Sequence, residues 1–340
     1  MNSSIDFLKE RFSSADDLEA IIWDEQLFSY RWLYNQILYW QGKLQNWGIK
    51  CGNIVLLEAD FSPNSLALFL ALAEIGAVLV PLTESISHKK HEFAEISQGE
   101  VSIHIDSEDR VIFERLERNA DHPLYFELKN RREPGLVLFS SGSTGKYKAA
   151  LHDLSGILQK FRTKQPSRRT ITFLLYDHIG GVNTMLHTLS NQACIVTVQD
   201  RDPNNVMKIV SKYNVQVLPA SPTFLNLILL SEAWKNYDLK TLELVTYGTE
   251  PMPETTLKRF NQALPHVKLL QTYGLSELGI LRSKSKSNDS LWVKIGGEGF
   301  ETRIVEGLLE IKAKSAMLGY LNAPSPFTED GWFQTGDVVK

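Results

Sequence analysis

Residues 136–148 read Leu-Val-Leu-Phe-Ser-Ser-Gly-Ser-Thr-Gly-Lys-Tyr-Lys, an apolar run that passes into small hydroxylated and glycine residues and ends on lysines. Residues 136–139 have the length and composition of a buried strand. The residues that follow offer hydroxyls, sterically open backbone N–H groups and the ammonium groups of Lys146 and Lys148, a combination that suits a polyphosphate. We therefore predict a phosphate-binding loop, with a flexible Gly/Ser turn as the alternative.

Two kinds of phosphate loop have to be distinguished. The P-loop of many kinases and ATPases requires a glycine where this chain has Ser140, and a Ser or Thr where it has Tyr147. The stretch instead resembles the core loop of the ANL superfamily of adenylate-forming enzymes, which includes acyl- and aryl-CoA ligases. Its usual form is Ser/Thr-Ser-Gly-Ser/Thr-Thr-Gly-x-Pro-Lys-Gly. Here Tyr147 replaces the proline and Ala149 the last glycine, whereas the hydroxyls, the loop glycines and the lysine are kept.

Length and charge limit the function classes. A chain of 340 residues exceeds what one hydrophobic core usually organises, so we expect at least two packed subdomains. With 36 Lys+Arg against 40 Asp+Glu, the net charge of -4 argues against a nucleic-acid surface or a polybasic membrane patch. No apolar run has the length of a membrane span, and the N-terminus lacks a secretory signal. We expect a cytoplasmic protein.

Short apolar runs alternate with longer amphipathic ones, which is the pattern of β-α units on a largely parallel sheet. The runs predict strands at 54–57, 77–80, 101–105, 136–139, 171–175, 195–198, 215–218, 242–245 and 267–270, and helices at 63–75, 183–189, 203–213, 222–233 and 253–263. Pro81 is expected to end the strand before it. Beyond residue 282, short runs alternate with glycines, which predicts a small β-rich unit.

Further motifs of the same superfamily occur in the family's order. The matching stretches are the helix-turn-strand element at 70–82, Tyr-Asp-His-Ile-Gly-Gly at 176–181, Tyr-Gly-Thr-Glu-Pro at 247–251, Gln-Thr-Tyr-Gly-Leu-Ser-Glu at 271–277 and Gly-Trp-Phe-Gln-Thr-Gly-Asp at 331–337. The resemblance implies an α/β fold with two doubly wound, mostly parallel sheets, flanking helices in αβαβα layers and a small β-barrel-like unit. We expect α/β subdomains at 1–168 and 169–282 and the β-rich unit at 283–340, with interleaving allowed. The resemblance also implies that this chain corresponds to the large N-terminal domain of such an enzyme, without the mobile C-terminal lid domain.

The resemblance implies a site for ATP and Mg²⁺. The phosphates would lie against Ser141, Gly142, Ser143, Thr144 and Gly145, with Lys148 at the rim of the loop. Glu277 and Thr144 would hold the metal ion. The nucleotide would further contact Gly248, Thr249, Glu250, Pro251, Thr272, Tyr273, Gly274, Ser276 and Asp337, with Tyr273 stacked on the adenine and Asp337 accepting the ribose hydroxyls. Viewed singly, Glu277 could be a helix-terminal acid, Asp337 a turn acid and Tyr273 a core residue.

We place the pocket for the acid around His178, Gly180, Gly181, Tyr247, Gly274 and Leu275. By resemblance, His178 lies beside the substrate carboxylate; seen alone, it is more often a satisfied loop histidine. Amino-acid-activating members of the superfamily usually carry an aspartate at that place. In this chain the acid is Asp177, which would face the other way if the stretch were extended, so an amino-acid substrate is disfavoured.

The sequence thus predicts ATP-dependent adenylation of a non-amino carboxylic acid, normally followed by thioester formation with CoA or a carrier-protein phosphopantetheine. The catalytic residues would be Thr144, Lys148, His178 and Glu277. The alternative is a degenerate adenylating fold that binds a nucleotide or an acyl-adenylate without turnover. A P-loop kinase would also need a second, metal-binding acid that the sequence does not place.

Overall fold

The structure is a computed structural model that describes residues 3–141 and 145–339. Within these ranges the α-helices are α1 Asp6–Ser13, α2 Tyr30–Asn46, α3 Pro63–Glu74, α4 Lys90–Ile96, α5 Pro123–Arg131, α6 Leu154–Leu158, α7 Ile179–Ser190, α8 Pro203–Lys212, α9 Pro222–Leu230 and α10 Glu254–Ala263. None of the described helices combines the length and the hydrophobicity required to cross a bilayer.

The strands of the two large sheets and their connections are β1 Glu19–Trp23, β2 Gln26–Ser29, β3 Ile54–Glu58, β4 Val78–Leu82, β5 Val101–Ile105, β6 Val111–Arg115, β7 Gly135–Ser141, β8 Tyr147–Asp153, β9 Thr170–Thr172, β10 Ile195–Thr197, β11 Val217–Ala220, β12 Leu244–Tyr247 and β13 Lys268–Gln271. The later strands are β14 Tyr273–Leu275, β15 Gly279–Leu281, β16 Ser283–Ser285, β17 Val293–Ile295, β18 Phe300–Val305, β19 Leu308–Ala313, β20 Gly319–Tyr320 and β21 Phe333–Val338.

Two seven-stranded sheets organise the fold. The first has the order β20-β8-β7-β4-β3-β5-β6, with parallel pairs from β7 to β5, and the second has the order β13-β12-β11-β9-β10-β1-β2, parallel except at β2. Small antiparallel sheets follow: β14-β15, β16-β17 and β18-β19-β21. The predicted α/β class with two mostly parallel sheets is confirmed. The range 283–340 contains the small sheets β16-β17 and β18-β19-β21, whereas β14-β15 precedes it.

The sheets do not follow the predicted ranges at two places. β1 and β2 come from the first range but lie in the second sheet, and β20 comes from the last range but pairs with β8 in the first sheet. The chain therefore crosses between the sheets near both ends.

The clusters of buried side chains show which helices lie between the two sheets and which lie outside them. One cluster of buried side chains joins α1, α2, α3 and α7 to residues of both sheets, so these helices lie between the sheets. A second cluster packs α8, α9 and α10 on the outer face of the second sheet. The α3 helix shows why the sequence folds this way: Ser62 caps its N-terminus, Pro63 opens it, and the residues from Leu66 to Ala73 are all buried. A helix that is apolar on every side belongs in such a central layer.

Pro81 does not end β4, contrary to the sequence-based expectation, but pairs with Leu57 inside the strand. The pairing of β4 with its other neighbour, β7, covers only Val78 and Leu79. Because one side of Pro81 has no partner strand, its missing N–H interrupts no ladder.

Candidate active site

A cleft of about 780 Å³ opens where parallel strands of both sheets end. Open α/β sheets commonly bind ligands beyond the carboxyl ends of their strands. The described residues from the sequence-based site that line this cleft are Ser141, His178, Gly180, Gly248, Thr249, Thr272, Gly274, Leu275, Ser276 and Glu277. The others, Gly145, Lys148, Gly181, Tyr247, Glu250, Pro251, Tyr273 and Asp337, are not among its lining residues.

The predicted phosphate loop lies between two paired strands in the sequence. β7 and β8 pair antiparallel up to Ser141 opposite Tyr147. Gly142, Ser143 and Thr144 lie outside the described residues. Gly145 has φ +78°, and a Cβ there would meet no described atom within 4 Å, so conformation rather than space favours glycine. A strand follows the loop, whereas a P-loop leads into a helix, and this excludes the P-loop reading.

Lys148, Tyr320 and Glu277 form a connected group. The Tyr320 hydroxyl donates a hydrogen bond to Glu277 Oε1 at 2.5 Å, and Lys148 Nζ lies 5.1 Å from the centre of the Tyr320 ring. Burial, followed by the contact with Glu277, raises the pKa of Tyr320, so the phenol stays protonated and donates. Sequence reasoning gave Tyr320 no role. Its signal was weak because the contact depends on β20 joining the first sheet.

Tyr273 and Asp337 also meet. The Tyr273 hydroxyl donates to Asp337 Oδ2, and burial followed by this hydrogen bond raises the pKa of Tyr273. Asp337 itself is exposed. The two residues that the resemblance assigned to adenine and ribose are thus neighbours beside the cleft, with the carboxylate open to solvent.

The segment after β12 holds several predicted nucleotide contacts. A Cβ on Gly248 would lie 2.6 Å from Thr272 Oγ1, so only glycine permits this close approach, and Thr249 has the left-handed φ of +72°. Glu250 Oε1 accepts a hydrogen bond of 2.7 Å from the backbone N–H of Thr223, in the first turn of α9. Burial acts to raise the pKa of Glu250, but the hydrogen bonds from Thr223 outweigh it and lower that pKa. This carboxylate is therefore committed to the helix N-terminus. The next residue, Pro251, is exposed.

Asp177 and His178 stand at the start of α7, and both line the cleft. Asp177 is buried, its Oδ2 accepts a hydrogen bond of 2.9 Å from Thr83, and its Oδ1 lies 3.4 Å from His178 Nδ1. Among the described residues, Oδ1 has no hydrogen-bond partner. The expectation that the two side chains face opposite ways is wrong, because residues 175–178 form a turn in which His178 N–H donates to the Leu175 carbonyl at 3.2 Å.

The two glycines that begin α7 differ in function. Gly180 lines the cleft, and a Cβ there would meet Leu174 Cδ1, the end of a flexible side chain, at 2.9 Å. A Cβ on Gly181 would lie 1.9 Å from the Leu175 carbonyl oxygen. The assignment of Gly181 to the acid pocket is therefore wrong: its hydrogen is required by the backbone of the preceding turn.

Tyr247 was also misassigned to the acid pocket. Successive side chains of a strand point to opposite faces, and in β12 Thr246 lines the cleft whereas Tyr247 packs in the outer cluster of the second sheet. Tyr247 is 2% exposed, and burial raises its pKa to about 12.

The turn between β14 and β15 carries Leu275, Ser276 and Glu277 into the cleft. Gly274 permits it, since a Cβ there would lie 2.9 Å from the Gly279 backbone carbonyl oxygen. His152 of β8, which sequence reasoning missed, lies beneath the turn, fully buried, and its Nε2–H donates to the Ser276 carbonyl at 2.6 Å. Burial lowers the pKa of His152, so it is neutral near pH 7. No sequence motif marks a contact between residues 124 positions apart.

The donor set suits a magnesium ion shared with a nucleotide. Within residues 3–141 and 145–339, no group of three His, Cys, Asp or Glu side chains could hold a metal by itself. Mg²⁺ usually takes one or two carboxylates and completes its shell with water and phosphate oxygens. Glu277 fits this pattern, since it lines the cleft and Tyr320 occupies one of its oxygens. The second predicted ligand, Thr144, lies outside the described residues.

Comparisons with known proteins identify the family of this chain. The profile of a family described as "AMP-binding enzyme" matches residues 8–303. "4-coumarate–CoA ligase-like 9" of Arabidopsis thaliana is 26% identical over 335 residues, which cover 82% of this chain and 58% of the relative. "Putative acyl–CoA ligase YdaB" of Bacillus subtilis is 25% identical over 379 residues, covering 95% of this chain and 74% of the relative. The chain spans 58% to 65% of the lengths of three curated relatives that are named as 4-coumarate–CoA ligases or ligase-like proteins.

Solved structures share the fold. An anthranilate CoA ligase, AuaEII, in complex with anthranoyl-AMP, superposes with a TM-score of 0.81 at 17% identity, over 99% of this chain and 74% of the other. The inhibitor-bound N-terminal domain of FACL13 from Mycobacterium tuberculosis superposes with a TM-score of 0.74 at 20% identity, over 99% of this chain and 96% of the other. The chain therefore belongs to the AMP-binding enzymes, the ANL superfamily of adenylate-forming proteins, and within it is similar to acyl- and aryl-CoA ligases.

Proposed function

We propose that this protein catalyses ATP-dependent adenylation of a carboxylic acid and that the acyl group then passes to the thiol of CoA or of a carrier-protein phosphopantetheine. The observation that carries the proposal is one continuous cleft that contains the end of the phosphate hairpin at Ser141, the acid Glu277 and the imidazole of His178. ATP and Mg²⁺ are the implied cofactors.

The reaction requires positioning more than covalent chemistry. A carboxylate oxygen attacks the α-phosphorus of ATP, the bond to pyrophosphate breaks, and inorganic pyrophosphate leaves with the displaced electron pair. Charge accumulates on the phosphate oxygens, so donors fixed in place before the reaction lower the barrier most. Bound Mg²⁺ would neutralise part of this charge. Glu277, oriented by Tyr320, would hold the metal ion, and Lys148 would add positive charge beside them.

The lining of the cleft is partly apolar. It includes Leu82, Phe139, Ile179, Leu275 and Ile280 together with Gly180. Such a lining favours a substrate with a largely uncharged body, which His178 would contact near the carboxylate.

The geometric argument against a substrate amine needs revision. The sequence-based preference for a non-amino acid depended on Asp177 facing away, whereas Asp177 is a lining residue of the cleft, with a buried Oδ1 that has no hydrogen-bond partner among the described residues. A substrate amine would gain a charge-assisted hydrogen bond with that oxygen only if the Asp177 side chain turned toward the cleft. We retain a non-amino acid as the first candidate, and comparison of benzoate with 2-aminobenzoate separates the two classes.

The test is ATP–pyrophosphate exchange with a panel of aryl, short-chain and long-chain acids, with and without an amine, and with the C-terminal domain of a related CoA ligase supplied, because the resemblance implies that such a lid domain takes part in turnover. Acid-dependent exchange is expected in the wild type, and Glu277→Gln should reduce it by about a hundredfold or more, since it removes one charge-stabilising group. An unchanged unfolding midpoint for Glu277→Gln would show that the fold is intact. Binding of ATP or an acyl-adenylate analogue without any exchange would support the alternative, a binding module without turnover.

A further inference from the structure

One polar pair lies behind the acid end of the cleft and has no part in the proposed adenylation. Lys160 Nζ donates hydrogen bonds to Asn183 Oδ1 at 2.5 Å and to the Ile280 carbonyl at 2.9 Å. Asn183 and Ile280 line the cleft, whereas Lys160 does not. The ammonium therefore contacts the cleft wall from behind, and its effect on a ligand would pass through Asn183.

This contact fixes which way the Asn183 amide faces. Amide oxygen and nitrogen are often hard to assign, because either can be placed toward a neighbour. An ammonium group carries only donors, so it requires the acceptor Oδ1 on its own side. The Nδ2 donors of Asn183 are then directed away from Lys160, and Asn183 is a lining residue of the cleft. In this orientation the amide would present an N–H donor, and not an oxygen acceptor, to a ligand.

The charge of Lys160 is maintained near neutral pH. Part of the side chain is exposed, but its amine lies against Asn183, Ile280 and the Phe161 ring, whose centre is 5.0 Å away. Burial of the amine lowers the pKa of Lys160 to about 8, which leaves most of it protonated at pH 7. A protonated amine is the state that cannot accept a hydrogen bond and therefore holds the amide in one orientation.

Other polar groups on this face of α7 are already occupied. Gly180, Asn183 and Thr184 line the cleft at helical spacing, but the Thr184 hydroxyl donates to the Gly180 carbonyl at 2.8 Å. The side chain next to them, Ile280, is apolar. Among the described residues of this face, Asn183 is thus the residue that offers a ligand a side-chain N–H donor, whereas the Thr184 oxygen can only accept.

We propose that Asn183 is a specificity-determining residue that donates a hydrogen bond from Nδ2 to an oxygen acceptor on the body of the acid, and that Lys160 is a positioning residue that orients the amide for this contact. The proposal rests on the proposed adenylation and refines it: the preferred acids carry a carbonyl, ether or similar acceptor beyond the carboxyl group. The simpler reading is that Lys160 and Asn183 only tie α7 to the chain before it.

The experiment compares matched ligands with the full chain. The probes are 5′-O-(N-acylsulfamoyl)adenosines, stable mimics of an acyl-adenylate, made in pairs that differ only in C=O against C=CH₂. The pairs are 3- and 4-acetylbenzoyl with their isopropenyl counterparts, and 5-oxohexanoyl with 5-methylidenehexanoyl. Dissociation constants are measured by calorimetry. One hydrogen bond predicts that the ketone of at least one pair binds about threefold to tenfold more tightly than its partner.

Substitutions at Asn183 test the donor. Asn183→Leu should bring the ketone-to-alkene ratio to about one without weakening the alkene. Asn183→Asp keeps the shape and presents oxygen alone, so the ratio should invert. A wild-type ratio near one in every pair, or a ketone preference that survives Asn183→Leu, would overturn the proposal.

Substitutions at Lys160 test the positioning role. Lys160→Met should reduce the ratio, Lys160→Arg, which also carries only donors, should restore it, and Lys160→Met should change nothing further in the Asn183→Leu background. A purely structural tie would lower stability in these variants and leave the ratio unchanged. If no probe of any pair binds to the wild type, the proposed adenylation itself is wrong. If both members of the pairs bind equally, adenylation stands and only the role of Asn183 is lost.

Discussion

Replacing Gly181 by alanine should destabilise the fold far more than the same change one residue earlier. The added Cβ would lie 1.9 Å from the Leu175 carbonyl oxygen and 2.7 Å from its carbon, whereas real Cβ contacts essentially never fall below 3.0 Å. Both obstructing atoms belong to the backbone. That carbonyl also accepts the N–H of His178, so moving it disturbs the turn that brings Asp177 and His178 to the cleft.

The magnitude follows from the overlap. Overpacking that forces the backbone to shift typically costs about 1–3 kcal/mol of unfolding free energy, and occasionally more. Because Gly181→Ala requires the whole Leu175 carbonyl group to move, we expect a loss of about 3 kcal/mol or above. At roughly 2.1 cal/mol/K of unfolding entropy per residue, that loss lowers the melting temperature of a 340-residue chain by about 4 °C.

The matched control is Gly180→Ala. Its Cβ meets only the end of the Leu174 side chain, at 2.9 Å, and alanine gains about 1 kcal/mol of helix propensity over glycine, so the net change should be small. Urea unfolding of both variants provides the comparison. Equal stability of Gly181→Ala and the wild type, or an equal loss in the two variants, would refute this account of the turn.

Three further outcomes are expected. Tyr320→Phe removes the donor to Glu277 and should raise the Mg²⁺ concentration needed for nucleotide-dependent thermal stabilisation by about tenfold, with the melting temperature of the free protein nearly unchanged; an unaltered Mg²⁺ titration would contradict that role. Burial lowers the pKa of His152, so below about pH 6.5 the folded state binds fewer protons than the unfolded state. The free energy of unfolding should therefore fall as the pH drops through that value. The fall should be less steep in His152→Gln, whose side chain can still donate to the Ser276 carbonyl. Equal pH slopes would show that another group is responsible. Gly180→Val should shift exchange activity toward smaller acids, because the added side chain takes up space in the cleft. An equal loss of activity with all acids would show instead that Gly180 is needed for the conformation of the backbone.

Much of the fold was predictable because buried parallel strands and capped helices leave strong local signals. The apolar runs and the proline that opens α3 directly identified elements that the structure contains. The two crossings were not predictable from such signals: β1 pairs with β10 and β20 with β8, and strand partners distant in sequence leave no local pattern.

The residues of the candidate site were predictable where a sequence motif marked them. The prediction failed where it depended on the direction in which a side chain points. Glu277 lines the cleft as expected, but Tyr247 faces the core, because strand alternation was not applied to it. Asp177 was oriented wrongly because an extended segment was assumed where a turn occurs. The contacts of His152 and Lys160 could not be predicted from local sequence signals. His152 bonds to Ser276, 124 positions away, and Lys160 bonds to Ile280, 120 positions away, and to the side chain of Asn183 in α7.

The most direct measurement of the central claim is calorimetric binding of an acylsulfamoyl adenosine to the full chain, with Asp337→Asn as the matched variant. We predict stoichiometric binding, with about 2.7 kcal/mol of added stability at a hundredfold excess over the dissociation constant. Asp337 is exposed, and asparagine retains the shape of its side chain. The Asp337→Asn variant should therefore bind the analogue about tenfold more weakly and unfold at the wild-type midpoint. Absence of binding by adenine nucleotides and by every acyl-adenylate analogue would contradict the assignment of this cleft to adenylate formation.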